Sequence, residues 1–252
     1  MKIKILVATH KKYSFPDDTI YLPIQVGKKL AKEDFGYIGD DSGENISEKN
    51  PFFSELTALY WAWKNQFFKE TKYCGLVHYR RYFLGTEIFE KFKILGKNDV
   101  EKIMTEYDVV VPVKRKYYIE TVRDHYAHAH YKKDLDVLEK VLTAYSPEYL
   151  EAFESVMEKT NLYLYNMFVM KTEYFMEYCD WLFPILFEVE KRIDISAYDT
   201  YQSRIFGFLS ERLFNVWLCH HQLKVKEVKV VNLEGENLIL KAVNMLKRKY
   251  LK

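Results

Sequence analysis

The sequence predicts one layered α/β domain, and three observations predict it. Short apolar runs of strand length recur along the 252 residues, and segments of helical period lie between them. No low-complexity linker or internal repeat divides the chain.

Taken in order, Ile3, Ile5 and Val7 alternate with Lys2 and Lys4 before the run turns wholly apolar at Leu6–Ala8. This is the pattern of a strand running into a sheet covered on both faces. The apolar stretch is too short for the core of a signal peptide. Further strands are expected at Cys74–Tyr79, Asp108–Pro112, Tyr163–Met170 and Val225–Val231.

Leu56, Leu59, Tyr60, Trp63 and Phe67 share one face of a helix, with Asn50-Pro51 as a turn before it and Glu55 in the first turn. Ser146-Pro147 reads as an N-cap and first helical position, opening a helix to about Lys159. Tyr174–Arg192 is helical by pattern, with Pro184 as a kink or break, and Ser203–His220 is a strongly apolar helix. The polar stretch 36–50 reads as a loop of the kind that carries binding groups.

A boundary is placed after residue 235: 1–235 form the domain, and 236–252 a basic amphipathic C-terminal helix. Ile239, Val243, Leu246 and Tyr250 share one face of that helix, which suits docking on the domain or peripheral contact with an anionic membrane.

Composition excludes several classes. A net charge of +2 leaves no nucleic-acid footprint, although residues 224–252 carry eight Lys/Arg against three Glu. No run of eighteen apolar residues is present, so no span is expected. Three scattered cysteines, Cys74, Cys179 and Cys219, argue against disulfides and a structural zinc, and for a reducing compartment. Signatures of serine hydrolases, P-loop kinases, dinucleotide-binding folds and zinc proteases are absent.

Candidate groups cluster at strand ends, where ligands bind in open α/β sheets. Thr9, His10 and Lys11 follow the first strand and suit a uracil edge or a diphosphate. His78, Tyr79, Arg80 and Arg81 follow the apolar run 74–77. Many nucleotide-sugar transferases place an Asp-x-Asp pair there to hold a divalent cation; guanidiniums can neutralise a diphosphate instead. Adjacent residues on an extended strand face opposite ways, so one arginine at most is expected to aim at a ligand.

His125, His128 and His130 invite a metal reading, but on a helix only the first two share a face, so no metal site is expected. Asp124 is a candidate base toward an acceptor hydroxyl. Asn166, at the start of a buried strand, offers donor and acceptor to sugar hydroxyls. Glu211 and Arg212 lie in an apolar helix, where a carboxylate of raised pKa could serve as base or bind an acceptor, or the two could form an internal ion pair.

The strings ELTALYWAWKN (55–65), GLVHYRRYF (75–83), DVVVP (108–112), NMFVMK (166–171) and FGFLSERLFNVWL (206–218) together resemble a bacterial family of capsular polysaccharide, exopolysaccharide and O-antigen synthesis proteins, some of them galactofuranosyltransferases. The resemblance covers about residues 1–220. It implies a GT-A-like fold with a mostly parallel central sheet flanked by helices. It also implies a UDP-sugar donor and a saccharide or lipid-linked saccharide acceptor; the expected location is the cytoplasm, with the inner face of the cell membrane as the alternative. The residues 166–170 are similar, more distantly, to an acceptor-side strand of galactosyl- and glucosyltransferases. The missing Asp-x-Asp pair departs from those relatives and points to transfer with no metal cofactor. Two other classes share these features: a nucleotide-sugar or sugar-phosphate hydrolase, and a non-catalytic saccharide-binding assembly protein.

Overall fold

The first strand, β1 (Ile3–Thr9), turns Ile3, Ile5 and Val7 to one face and Leu6 and Ala8 to the other, and both sets are buried in separate apolar clusters. A layer therefore covers each side of the sheet at this point. The computed structural model describes residues 2–234. After β1 come β2 (Tyr21–Gln25), β3 (Ile38–Gly39), α1 (Asn50–Phe53), α2 (Leu56–Lys64), β4 (Tyr73–His78), β5 (Arg81–Phe83), β6 (Glu87–Phe89), β7 (Phe92–Ile94) and α3 (Lys97–Ile103). The second half holds β8 (Val109–Pro112), β9 (Arg115–Lys116), α4 (Val122–Ala129), α5 (Lys132–Tyr145), α6 (Leu150–Met157), β10 (Asn161–Leu162) and β11 (Phe168–Lys171). It closes with α7 (Thr172–Glu190), α8 (Ile205–His221), β12 (Val225–Val228) and β13 (Val230–Asn232).

The main sheet has the order β12-β8-β11-β4-β1-β2-β3, with β5 and β13 attached beside β4. β1 pairs in parallel with β2 and β4, β2 with β3, and β8 with β12; β11 runs antiparallel between β4 and β8. The sheet is thus mostly parallel, and the start of β11 lies at the same edge as the end of β4. Helices α2, α7 and α8 pack over one face around Phe53, Phe168, Phe183 and Trp217, all fully buried. Burying each phenylalanine contributes about 1.5–3 kcal/mol.

Several elements differ from expectation. The run 163–170 is a strand only from Phe168, because Tyr165 and Asn166 take positive φ and turn the chain before it can pair. The run 225–231 divides into β12 and β13, which pair with β8 and β5 respectively. Ser146 makes no side-chain cap; Pro147–Tyr149 form a 3-10 turn and α6 begins at Leu150. Helix α7 continues through Pro184 without a break. The loop 36–50 is built around buried Asp40, which accepts the Gly27 and Lys28 amides and the Ser47 hydroxyl. The C-terminal helix expected at 236–252 lies outside the described residues.

Gly75 in β4 sits against β11 with no room for a side chain: a Cβ would fall 2.5 Å from the Phe168 carbonyl oxygen and 3.2 Å from the Val169 Cα. Both obstacles are backbone. Gly75→Ala is expected to destabilise the fold by about 1–3 kcal/mol, through forced strand separation. Urea unfolding checks it: the midpoint falls, whereas an unmoved midpoint contradicts the close approach of the two strands.

Candidate functional site

The site is assembled around one irregular piece of backbone. Tyr165 (φ 78°) and Asn166 (φ 51°) are consecutive left-handed residues, separated from β11 by Met167 alone. Asparagine tolerates this region; for tyrosine it costs on the order of 1–3 kcal/mol. The turn directs three groups. The Tyr165 amide donates to Glu211 Oε1 at 2.7 Å, and its carbonyl lies 2.7 Å from His78 Nε2. Asn166 Nδ2 donates to Glu55 Oε1 at 2.6 Å. A carbonyl can only accept, so His78 carries its proton on Nε2. A second strained residue, Ser54 (φ 51°, ψ −133°), joins α1 to α2 and accepts from Arg204 Nε at 3.1 Å.

Two cavities adjoin at this edge. One, of about 330 Å³, lies beyond the tips of β1 and β4 and includes His10, Asn50, Ser54, Glu55, His78 and Tyr79 in its wall. The other, of about 400 Å³, includes Tyr117, His125, His130, Tyr201, Phe208 and Glu211 in its wall. Arg80, Arg81 and Arg204 line both cavities. The junction between the two spaces is therefore a row of guanidiniums.

Their charge is only partly compensated. Arg80 pairs with Glu234 at 3.0 Å, and Lys11 reaches the same carboxylate at 3.2 Å. Arg81 lies over the Tyr165 ring at 4.6 Å and has no carboxylate partner among the described residues; the same holds for Arg204. His10 has its pKa lowered, first by burial and then by Lys11, Arg80 and Arg204. His78 is also lowered, chiefly by burial, with Glu55 acting in the opposite sense. Both imidazoles are thereby kept neutral beside the arginines.

Glu211 faces the larger cavity with 18% of its side chain exposed, and its Oε2 pairs with the buried Arg212 at 3.0 Å. Burial raises its pKa, against the Arg212 charge and the Tyr165 amide. It is at once an ion-pair partner and a cavity wall. Arg212 also donates to the Phe208 carbonyl and lies over the Tyr126 ring.

The structure brings His10, His78, Tyr79, Arg80, Arg81, Glu211 and Arg212 to the two cavities. Both adjacent arginines arrive, because Tyr79 and Arg80 form the tight turn between β4 and β5 and are not extended strand. Other candidates are placed elsewhere. Thr9 is fully buried and its hydroxyl closes a turn with Lys11. Lys11 lines neither cavity and lies over Tyr79. Asp124 is spent at the start of α4, bonded to Thr121, its N-cap, and does not reach the cavity. Asn166 is buried, with its amide committed to Glu55, Gly207 and Ser210, so it positions Glu55 instead of meeting a sugar.

His125 stacks on Tyr117 at 3.9 Å, His130 stacks on Phe208 at 4.1 Å, and His128 lies 3.1 Å from Glu120. The three share a cavity but do not converge, and no group of metal-ligating side chains does so among the described residues. Glu55, Arg115, Tyr117, Tyr201 and Arg204 line the site without having been singled out for it from the sequence. A signal existed for Arg204: a cation at the first end of a helix opposes the helix dipole, so something else must favour it there.

A mostly parallel α/β sheet here carries a guanidinium-lined double cavity at its carboxyl edge, the place where ligands bind in open α/β sheets. Residues 4–222 match the model of a family described as a domain of unknown function (DUF4422), and the chain belongs to that family. The structure is similar to that of the WbbM bifunctional glycosyltransferase in its apo form, with a TM-score of 0.86 and 31% identity. That likeness covers 94% of this chain and 46% of the other, so the chain spans less than half the length of that protein. No curated protein matches.

His78 makes the site sensitive to acid. Its folded pKa lies below its ordinary 6.5, so the unfolded chain binds more protons in the window beneath that value. Stability from this group is fully present above about 6.5 and is lost as pH falls through the folded pKa. Replacing it by glutamine, which can keep the bond to the Tyr165 carbonyl, is expected to flatten the decline in melting temperature below pH 6.5. An identical decline in wild type and His78→Gln would contradict the neutral, buried imidazole.

Proposed function

We propose that the chain is a glycosyltransferase of GT-A-like fold. It moves a hexose, galactofuranose or galactose, from a UDP-sugar to a saccharide or lipid-linked saccharide in bacterial surface polysaccharide synthesis. The observation that carries this reading is that Arg80, Arg81 and Arg204 line both cavities, and two of the three make no carboxylate ion pair among the described residues. A diphosphate is the anion that such a row fits, since guanidiniums bind phosphate oxygens bidentately and stay charged. The nucleotide then occupies the cavity at the β1 and β4 tips beside His10, and the acceptor occupies the larger cavity beside Glu211 and the aromatic faces. The likeness to a glycosyltransferase over nearly the whole chain supports the same assignment.

In the transfer, an acceptor hydroxyl oxygen forms a bond to the anomeric carbon as the bond from that carbon to the phosphate oxygen breaks. UDP leaves with the electron pair, and Glu211 takes the hydroxyl proton. The charge that develops on the departing phosphate is met by Arg81 and Arg204, in the role a bound cation has where an Asp-x-Asp pair is present. Glu55 faces the donor side, where it can accept from sugar hydroxyls.

A UDP-hexose panel with saccharide acceptors tests this reading, run in excess EDTA. Transfer is expected to persist under EDTA; complete loss rescued by manganese would remove the cation-free version, and UDP release unaffected by any saccharide would favour a hydrolase. Arg81→Ala and Arg204→Ala are each expected to weaken UDP binding by about 10–100-fold, the value of a charge-assisted hydrogen bond. Glu211→Gln is expected to slow transfer by about 10²–10⁴-fold while leaving UDP binding in place.

A further inference from the structure

The segment from Val113 to Ile119 stands at the rim of the larger cavity. β9 within it is held by antiparallel pairing with β10, and the Tyr117 amide donates to the Thr160 carbonyl at 2.8 Å. Beyond this anchor the chain makes a three-residue turn. The Ile119 amide donates to the Tyr117 carbonyl at 2.7 Å, and Tyr118 between them has φ 61°. Such a turn is strained for a tyrosine. Its result is that Tyr118 and Ile119 are turned outward, 77% and 61% exposed, with Val113 49% exposed close by in sequence.

Between these apolar groups lie the exposed Arg115 and Lys116 and the half-buried Lys114, whose ammonium is over the Tyr163 ring at 4.8 Å; none of the three makes a carboxylate ion pair among the described residues. Exposed aromatic and aliphatic side chains leave apolar surface in water at this tip, and the basic residues beside them give it positive charge. The chemistry that matches both halves is an anionic lipid surface: tyrosine and isoleucine settle at the headgroup level, and the cations meet lipid phosphates.

We propose that residues 113–119 dock the protein on an anionic bilayer. The same segment supplies Arg115 and Tyr117 to the cavity wall, and Glu120 follows directly, so docking here brings the cavity mouth to the membrane plane. A lipid-linked acceptor would present its sugar at that height. The purpose of the docking rests on the transferase reading, but the docking itself is measured without any sugar, so the two can fail separately. This contact is separate from the one that the sequence offered, beside docking on the domain, for the segment 236–252.

The test is co-sedimentation of the full chain with phosphatidylglycerol-rich vesicles and with phosphatidylcholine vesicles. Binding is expected to the first only, and to weaken with salt. Lys114→Gln with Lys116→Gln is expected to lower the affinity on the order of 25-fold, about fivefold per charge. Tyr118→Ser with Ile119→Ser is expected to abolish detectable binding. Far-UV circular dichroism and the melting temperature of both double variants should match wild type, which verifies that they are folded. No binding by wild type would overturn the proposal, as would unchanged binding by either folded variant. Equal binding to both vesicle types would overturn the anionic specificity.

Discussion

Positive charge that is only partly compensated, where two cavities share Arg80, Arg81 and Arg204, is the constraint on which the rest of the site depends. Arg81 and Arg204 are held beside neutral imidazoles and have no carboxylate partner among the described residues, while Arg80 shares Glu234 with Lys11. Proteins usually pair such groups, because guanidiniums brought together repel one another. Their persistence here is accounted for by a ligand that brings the missing negative charge. The neutrality of His10 and His78 follows from the same field, since burial and nearby cations both disfavour a further proton.

The backbone supplies the geometry. The Tyr165–Asn166 turn addresses His78, Glu211 and Glu55 from one strained pair of residues, and Ser54 carries a second strained conformation against Arg204. Strain at these positions is tolerated because the antiparallel strand β11 is locked between β4 and β8. Gly75 permits that close packing, so a residue in the middle of the sheet and a turn at its edge serve one arrangement. Asn166 thereby acts by positioning, through Glu55, and Glu211 is both supported from behind by Arg212 and open to the cavity in front.

Much of the fold was legible because β1, β4 and β8 are continuous apolar runs and α2, α7 and α8 keep a strong helical period. The strand ends carried His10, His78, Arg80 and Arg81 to the edge where ligands bind, and those residues were readable for that reason. The failures are local and physical. Around Tyr165 only Asn166 hints at a left-handed conformation, since no glycine stands there and tyrosine disfavours it. Asp124 looked like a free carboxylate, but a threonine three residues earlier claims it as part of a helix start. Glu55 looked like a dipole partner and proved to line a cavity, a fact that depends on β11 returning antiparallel beside β4. Arg204 and Tyr117 reach the site from segments far apart in sequence, which periodicity does not register.

The most direct measurement is a crystal structure of the protein with UDP or a UDP-hexose bound. The diphosphate is expected to lie against Arg81 and Arg204 at the junction of the two cavities, with the uridine toward His10 and no cation bridging the phosphates. A nucleotide seated away from these guanidiniums, or a divalent ion holding its phosphates through protein carboxylates, would contradict the central role given to the arginine row.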